Sequence, residues 1–319
     1  MNLFNKIIIA GFAIITFSCD NENDTNASSK VTTAAAITTA TPKKFLFDAT
    51  KAETAGNADW VLDADSSPQR FPTPAQSNVT ATTVESFWRG ALSSWGIALA
   101  KLGHTVETLP SGTAITYGGT GAQDLKNYDV FVIDEPNTRF TAAEKTAILK
   151  FVQNGGGLFM ISDHTVSDRN NDGWDSPAIW NDLMSTNTLQ TNPFGITITL
   201  NNFSETTTNR LSATTNPILN GSQGVVTNLK YSNGASMTIN ATANATVQGL
   251  IWKGSSSQGT SNIMCATATF GTGRVFVIGD SSPADDGTGA TGDTLYPGWT
   301  ELASHSRLHM NASLWLAKL

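Results

Sequence analysis

Short apolar runs alternate with amphipathic segments along this chain, and the alternation predicts an α/β protein. Four runs are nearly continuous in hydrophobic residues and end in an acid: KFLFD, VFVID, LFMISD and VFVIGD. Such runs are typical of central strands of a parallel sheet, which helices cover on both faces. Strands that alternate with helices predict right-handed βαβ units. We therefore expect one parallel sheet between two layers of helices.

Two helices are predicted between these strands. Leu92, Trp95, Leu99 and Leu102 recur every three or four residues, with Phe87 five residues before them, which indicates a helix before the strand HTVETL. The segment TAAEKTAILKFVQNGGG is the clearest helix of the chain. Its Thr141 and Glu144 have the spacing of a capping box, and Gly155 is placed to end it.

The second half of the chain has a different texture. From about 186 to 261 it is rich in Thr and Asn, and segments such as GITITLNNF nearly alternate, which predicts a β insertion or extra edge strands. NIMCATATF and GRVFVIGD indicate two strands joined by a turn. The last segment, ELASHSRLHMNASLWLAKL, indicates a helix packed back on the sheet.

The N-terminal residues indicate export and lipidation. An apolar run from Ile7 to Phe17 follows Lys6 and is too short to span a bilayer. Ser18 and Cys19 come next and resemble a bacterial lipoprotein processing site, so we expect a signal peptide over 1–19 with Cys19 lipidated. A plain secretory signal is the alternative. Residues 20–42 are polar and small, and indicate a flexible tether before a single domain over 43–319.

The acidic residues after Cys19 resemble the tethers of surface-exposed lipoproteins of the Bacteroidetes. That resemblance implies a protein held at the outer membrane or the cell surface. Membrane contact is then expected through the lipid anchor only.

Composition narrows the function classes. The net charge is −7 and no basic cluster is present, which argues against nucleic-acid binding. The glycines form no phosphate-binding pattern that opens a helix, so no nucleotide cofactor is expected. Cys265 is the only cysteine besides Cys19 and lies in an apolar run, which favours a core residue over a nucleophile. Sparse charge favours a neutral small-molecule or glycan ligand.

Acids follow four predicted strands. They are Asp48, Asp134 with Glu135, Asp163 and Asp280. In a parallel sheet these ends meet at one edge, where open α/β sheets bind their ligands. Several acids in one place repel each other unless a cation, shared protons or a cationic substrate is present. The sequence thus predicts an acidic pocket that binds a divalent metal or works as acid and base. Helix caps and loop hydrogen bonds are the alternative.

A second candidate site follows Asp163. Asp168, Asn170, Asp172 and Gly173 form D-x-N-x-D-G, the first half of a calcium loop, and the carbonyl of Trp174 is the next expected ligand. The usual glutamate at position twelve is missing, because Ile179 stands there, so Asp175 or Asp182 would have to complete the shell. Calcium is therefore the expected metal. An ordinary loop of Asx turns is an equal alternative.

Three histidines are weighed as site residues. His164 follows Asp163 at the strand end and is the best placed. His305 and His309 lie four residues apart on the last helix, a spacing that suits zinc as well as two core histidines. Ser281, in the GDS of the loop after the last strand, leaves a serine hydrolase open as a minor alternative.

The motifs together resemble the class I glutamine amidotransferase-like superfamily. YDVFVI, the helix with F-T-x-x-E, NGGGLFMIS and G-x-G-R-V are similar to ThuA-like proteins and to the related domain of gliding-motility and intraflagellar-transport proteins. The resemblance implies a flavodoxin-like sheet. True amidotransferases carry a cysteine after the GGG strand, where this chain has Ser162, Asp163 and His164, so glutamine hydrolysis is not expected. Relatives include non-catalytic domains, which leaves activity open.

Two functions are therefore expected as alternatives. The first is a lipid-anchored hydrolase for carbohydrate or a similar neutral substrate. It is centred on Asp163 and His164, with Asp48, Asp134 and Asp280 as metal ligands or as acid and base, and with His305 as a further candidate. The second is a non-catalytic surface module that binds glycan or protein and is held rigid by calcium.

The lipidation hypothesis predicts the behaviour of a single-residue variant. Wild-type protein expressed with its signal should incorporate labelled palmitate and remain with the membrane fraction, and Cys19→Ser should do neither, because only the thiol can be acylated. Cys265→Ser is the matched control and should behave as wild type. Membrane-bound, labelled Cys19→Ser would contradict the hypothesis.

Overall fold

A large mixed sheet forms the centre of the protein. The computed structural model describes residues 41–55, 59–64, 67–293 and 296–319. Its strands are β1 Lys44–Asp48, β2 Thr105–Leu109, β3 Val130–Asp134, β4 Gly157–Ile161, β5 Ile196–Ile198, β6 Phe203–Thr207, β7 Asn220–Gly221, β8 Gly224–Val225, β9 Leu229–Gly234, β10 Met237–Ile239, β11 Gln248–Trp252, β12 Ile263–Phe270 and β13 Gly273–Ile278. Its helices are α1 Ser93–Lys101, α2 Ala142–Gln153, α3 Ser176–Ser185, α4 Gly298–Glu301 and α5 Ala303–Leu316.

The order of the strands confirms the predicted fold class. Within the described residues nine strands form the main sheet, in the order β2-β1-β3-β4-β13-β12-β10-β5, with β11 also paired to β12. The first five strands are parallel to one another, and β12 is antiparallel to β13. The parallel part has the flavodoxin-like order, in which the direction of winding reverses between β1 and β3.

Alternate side chains of the strands enter two separate cores. Phe45, Phe47 and Phe159 lie in the core on one face, which α1 and α5 cover. Leu46 and Met160 lie in the core on the other face, beneath α2 and α3. The period of two therefore explains why the strands are apolar on both sides.

Helix α2 begins with the predicted capping box. The amide of Glu144 donates to Thr141 Oγ1 at 3.3 Å, and the amide of Thr141 donates to Glu144 Oε2 at 2.8 Å. The other carboxylate oxygen of Glu144 accepts from Lys51 Nζ at 2.6 Å. This cap therefore also fixes the loop that follows β1. Gly155 follows the helix with a φ of +113°, a conformation that favours glycine.

Helix α1 begins later than its apolar spacing suggests. It starts at Ser93, and Phe87 belongs to a separate short 3-10 helix, Glu85–Phe87. Between them Gly90 packs on the backbone near Val61, where a Cβ atom would lie 2.2 Å from the Val61 oxygen. The amide of Leu92 donates to that same oxygen at 3.0 Å. Backbone pairing with a distant loop thus replaces the first turns of the expected helix.

The Thr/Asn-rich region is β-rich, as predicted. Strands β5, β10 and β11 add to the main sheet beyond β12, whereas β6 pairs with β9 and β7 with β8 in two small ladders. Helix α5, preceded by the single turn α4, packs on β4 and β13 as expected.

Cys19, the signal segment and the tether up to residue 40 lie outside the described residues. In the part of the chain that the structure does describe, every helix is too short or too polar to cross a bilayer.

The α2 cap predicts a stability difference between two threonines of one segment. Thr141→Ala removes the cap and should lower the free energy of unfolding by about 1 kcal/mol. Thr146→Ala is the matched control, because Thr146 is half-buried in the helix interior, its hydroxyl donates to the carbonyl of Ala142 in the same helix, and Ala is the better helix former there. Denaturant melts of both variants give the measurement. Equal stability of the two would contradict the role assigned to the cap.

Candidate functional site

Four strands deliver acids to one edge of the sheet, as predicted. Because β1, β3, β4 and β13 are parallel neighbours, their carboxyl ends lie side by side. Five carboxyl groups and one guanidinium interact beyond the last three strands and are here called the acid cluster: Asp134, Glu135, Asp163, Asp280, Asp285 and Arg169. All five carboxyl groups are almost fully buried.

The centre of the acid cluster is a pair of carboxyl groups. The side chains of Glu135 and Asp163 interact directly, and a hydrogen bond between two carboxyl groups requires a proton on one of them. Burial first, and the charge of Glu135 second, hold the pKa of Asp163 well above its usual range. Ser281 Oγ donates to Glu135 Oε2 at 2.9 Å. The pair is thus fixed from both sides.

Arg169 supplies the positive charge of the cluster. Its Nε lies 2.6 Å from Glu135 Oε1, and its terminal nitrogen lies 3.2 Å from Glu135 Oε2 and 3.6 Å from Asp163 Oδ2. The two bonds to Glu135 form a bidentate clamp, the strong geometry for an arginine and a carboxylate. The loop that carries Arg169 is attached to the loop after β3, because the amide of Arg169 donates to Asn137 Oδ1 at 2.8 Å.

Asp134 is the least compensated acid of the site. Its side chain is 1% exposed, and neither carboxyl oxygen has a hydrogen-bond partner among the described residues. Burial, and then the charges of Glu135, Asp280 and Asp285, raise the pKa of Asp134 well above its usual range. Burial therefore favours the protonated form of Asp134, and its two oxygens remain available to a ligand.

Asp280 and Asp285 are titratable near neutral pH. Asp280 accepts hydrogen bonds from the amides of Ser282 and Ser232, and Asp285 accepts from the amides of Gly287 and Tyr296. Burial outweighs these bonds and raises the pKa of each acid to about 7. Each can therefore take or give a proton at physiological pH.

Asp48, the acid after β1, is paired with Glu53. The two side chains interact, although Asp48 Oδ2 and Glu53 Oε1 have no donor among the described residues. Burial is the main cause that raises the pKa of Asp48 to about 6 and that of Glu53 well above its usual range. The amide of Lys51 donates to Glu53 Oε2 at 2.6 Å. The structure thus adds a second proton-sharing pair, Asp48 with Glu53, at the predicted edge.

His164 is the partly exposed member of the site. Its Nε2 lies 3.7 Å from Asp163 Oδ2, and its side chain is 20% exposed. Its Nδ1 lies 2.6 Å from the carbonyl oxygen of Thr165, so Nδ1 donates that hydrogen bond and Nε2 is the nitrogen that faces Asp163. His164 therefore provides a polar path from solvent to Asp163.

Three loops at this edge contain a non-glycine residue in the left-handed region. Ala52 follows β1, Glu135 follows β3 and Val166 follows β4, with φ values of 65°, 43° and 63°. Such conformations cost free energy and concentrate at functional sites. Val166 is β-branched and 77% exposed, so no burial of its side chain offsets the strain.

The predicted calcium loop is held by its own hydrogen bonds. Asp168 accepts from the amides of Asp172 and Gly173, and Asp172 Oδ1 accepts from the amide of Trp174 at 2.9 Å. Asn170 donates to the carbonyl oxygen of Asn137. Asp175 caps α3 by accepting from the amide of Ala178 at 2.9 Å. These contacts form the Asx-turn arrangement that was the alternative to calcium.

The two histidines of α5 lie in the protein interior. His305 Nδ1 is 2.7 Å from the carbonyl oxygen of Gly298, and its Nε2 accepts from the amide of Lys230 at 3.1 Å. His309 is enclosed by Trp95, Phe159 and Trp299, and burial lowers its pKa to about 3. Both are therefore neutral, and His305 shows the bonding of a structural histidine.

Metal binding stays a prediction. Across 41–55, 59–64, 67–293 and 296–319, no three His, Cys, Asp or Glu side chains have the arrangement of a metal site. Cys265 is buried in β12, and burial raises the pKa of its thiol well above the usual range, so it lacks the thiolate of a nucleophile.

Sequence reasoning missed two members of this edge. Arg169 received no role from the sequence, although it is the one basic residue in SDRNNDGWD, which was a usable signal. Glu53 gave no such signal, because its contact with Asp48 forms only when the loop after β1 folds back on the end of that strand. Glu135 was noted at the strand end but not as the centre of the site.

Comparison with known proteins supports the fold. No protein-family model and no curated protein sequence matches the chain. The N-terminal domain of mmIFT52 is similar over 86% of this chain and 98% of its own, with a TM-score of 0.50 and 12% identity. At that identity the likeness shows the fold alone.

Two further structures are similar at lower scores. The cytoplasmic protein STM3548 from Salmonella typhimurium matches over 86% of this chain and 98% of its own, with a TM-score of 0.47 and 12% identity. A putative ThuA-like protein from Bacteroides uniformis matches over 87% and 93%, with a TM-score of 0.43 and 12% identity.

The burial of Asp134 predicts how stability depends on pH. Its folded pKa is raised, so its contribution is fully present below the unfolded value of about 4 and is lost as pH rises toward the folded pKa. Asp134→Asn removes that loss. Its gain in free energy of unfolding over wild type should grow between pH 5 and pH 8, by up to about 1.4 kcal/mol per pH unit.

Asp124→Asn is the control, because hydrogen bonds from Gly119 and Thr116 outweigh burial and lower the pKa of Asp124 below its usual range. Its loss of stability should be the same at pH 5 and pH 8. Denaturant melts at both values give the comparison. A gain for Asp134→Asn that does not change with pH would show that Asp134 ionises normally in the folded protein.

Proposed function

We propose that this protein is a hydrolase for carbohydrate or a similar neutral substrate, with its reaction centre at the acid cluster. The proposal rests on one observation above the others: the hydrogen-bonded Glu135–Asp163 pair under the Arg169 clamp. Two carboxyl groups that share a proton are held in unlike protonation states, and general acid–base hydrolysis needs such a difference.

The proposed roles follow from the surroundings of each acid. Asp163 holds a proton and is the general acid for the leaving group. Asp280, whose pKa is about 7, is the general base that takes a proton from the attacking water. The bond to the leaving group breaks as the bond to the water oxygen forms. One proton thus leaves the water and another enters the leaving group, so the protons balance.

Arg169 and His164 have supporting roles in this proposal. Arg169 opposes the negative charge that develops when Asp163 gives up its proton, because its terminal nitrogen lies 3.6 Å from Asp163 Oδ2. His164 returns a proton from solvent to Asp163 through its partly exposed ring. Ser281 is not assigned as a nucleophile, since its hydroxyl donates to Glu135. Asp134, neutral and without a partner, accepts hydrogen bonds from the substrate.

The location proposed for the protein rests on its N-terminal sequence. Lipidation of Cys19 would place the domain at the outer membrane or the cell surface, on the periplasmic or extracellular side. A tether of about twenty residues would let it reach polymeric or diffusing substrates there.

A second candidate function is a non-catalytic module that binds glycan or protein. Burial favours it, since Glu135, Asp163 and Asp280 are 0%, 3% and 0% exposed and a substrate must open a path to them. As part of this second function, calcium would bind the loop from Asp168 to Asp175. The ion would replace backbone amides of the loop as the partner of the Asp168 and Asp172 carboxylates. Melting temperatures with calcium and with a chelator test that part.

Substitutions in the carboxyl pair test the hydrolase. Asp163→Asn and Glu135→Gln should each lower kcat/KM by about 10²–10⁴-fold, because each removes a proton carrier from the reaction. The assay is release of product from a panel of neutral glycosides and esters by the purified domain. Thermal melts should show that both variants remain folded.

Asp129→Asn is the matched control. Asp129 immediately precedes β3, at the opposite edge of the sheet from Glu135, and forms an ion pair with Lys43 at 3.0 Å. It should retain wild-type turnover. Full activity of folded Asp163→Asn would sink the proposed mechanism, and no turnover on any substrate of the panel would favour the binding module.

A further inference from the structure

A small cavity lies beside the acid cluster, and its lining includes none of the cluster's own residues. It has a volume of about 130 Å³ and is lined by Lys230, Ser232, Ser282, Tyr296, Glu301 and His305, among others. A buried cavity of about 150 Å³ holds a benzene molecule. This cavity is slightly smaller, and its rim is open to solvent, so it encloses part of one six-membered ring.

The floor of the cavity is fixed by buried polar groups. Both nitrogens of His305 are bonded to backbone, one to the carbonyl of Gly298 and one to the amide of Lys230. Ser282 Oγ donates to the carbonyl oxygen of Ser232 at 3.1 Å. The amides of Ser232 and Ser282 both donate to Asp280. The cavity is therefore held in shape by the fold itself.

The rim of the cavity combines an ion pair with an aromatic ring. Lys230 and Glu301 form a salt bridge, and their side chains are 36% and 37% exposed. Tyr296 is 40% exposed, and Pro283 and Pro297 add apolar surface. One donor, one acceptor and hydroxyl groups beside apolar walls suit a neutral ring that has hydroxyl groups on its edge and C–H groups on its faces.

We infer that this cavity binds a single pyranose ring of a carbohydrate. Glu301 accepts from one sugar hydroxyl, Lys230 donates to another, and the ring of Tyr296 packs on the C–H face of the sugar. An anionic ligand would meet Glu301, and a cationic ligand would meet Lys230, so the ion pair favours a neutral one. The inference deepens the proposed function and rests on it for the substrate class.

The cavity is also connected to the acid cluster. The amides of two lining residues, Ser232 and Ser282, donate hydrogen bonds to Asp280. The amide of Tyr296 donates to Asp285 at 3.0 Å. A ring bound here would lie next to the proposed general base. The cavity is therefore a specificity site for the sugar that flanks the reacting bond.

The test is a binding measurement on a protein that cannot turn over. Methyl glycosides of glucose, galactose, mannose and N-acetylglucosamine are titrated into the Asp163→Asn domain and followed by saturation-transfer NMR. Glycerol and cyclohexanol are the comparison ligands, because one has hydroxyls without a ring and the other a ring with one hydroxyl. We expect at least one glycoside to bind more tightly than either.

Variants of the cavity decide whether that binding is located here. Tyr296→Ala and Glu301→Gln should each weaken the glycoside by about tenfold, the equivalent of one good contact. Tyr296→Phe keeps the ring and should retain affinity. Lys43→Met is the matched control, since Lys43 forms a comparable ion pair with Asp129 at the far edge of the sheet.

The outcomes separate this inference from the proposed function. If no glycoside binds more tightly than glycerol, or if binding is unchanged in both Tyr296→Ala and Glu301→Gln, the pyranose site is overturned. If the wild type turns over a substrate and Tyr296→Ala turns it over equally well, the hydrolase proposal stands and the pyranose site is overturned. Glycoside binding that both variants weaken, in a wild-type protein without turnover, would keep this site and overturn the hydrolase.

Discussion

The bond between the carboxyl groups of Glu135 and Asp163 is the constraint on which the site depends. Two acids can share one hydrogen bond only if one proton lies between them. The fold must therefore keep a carboxyl group protonated that would lose its proton in water. Arg169 donates to Glu135 Oε1 and Ser281 donates to Glu135 Oε2. These two bonds fix the orientation of the Glu135 carboxyl group. The positions of the loops after β3 and β4 follow from these contacts.

Parallel strand order explains why the acids accumulate. Each of β1, β3, β4 and β13 ends at the same edge, and each brings at least one carboxyl group there. The carboxyl groups of the acid cluster repel one another, and the cluster contains one guanidinium, that of Arg169. Protonation of some of the acids relieves the repulsion that remains. A site of this kind is costly to fold at high pH, and sites of function are where proteins tolerate such costs.

The sequence predicted the sheet, the α2 cap and the acidic edge, because each depends on local patterns: continuous apolar runs, a capping box and strand ends. It did not predict the start of α1, which depends on the contact of Gly90 with Val61, or the pair of Asp48 and Glu53. The role of Arg169 was not predicted either. Its entry into the acid cluster depends on the bond to Asn137, which is distant in sequence.

The central claim is that the folded protein stores protons in buried carboxyl groups. The most direct test is the number of protons released when the domain unfolds in denaturant at pH 7, measured with a pH indicator in weak buffer. Unfolding should release protons, from groups such as Asp134, Asp163 and Glu53, whose folded pKa values lie well above the usual range. Unfolding without proton release, or with proton uptake, would contradict it.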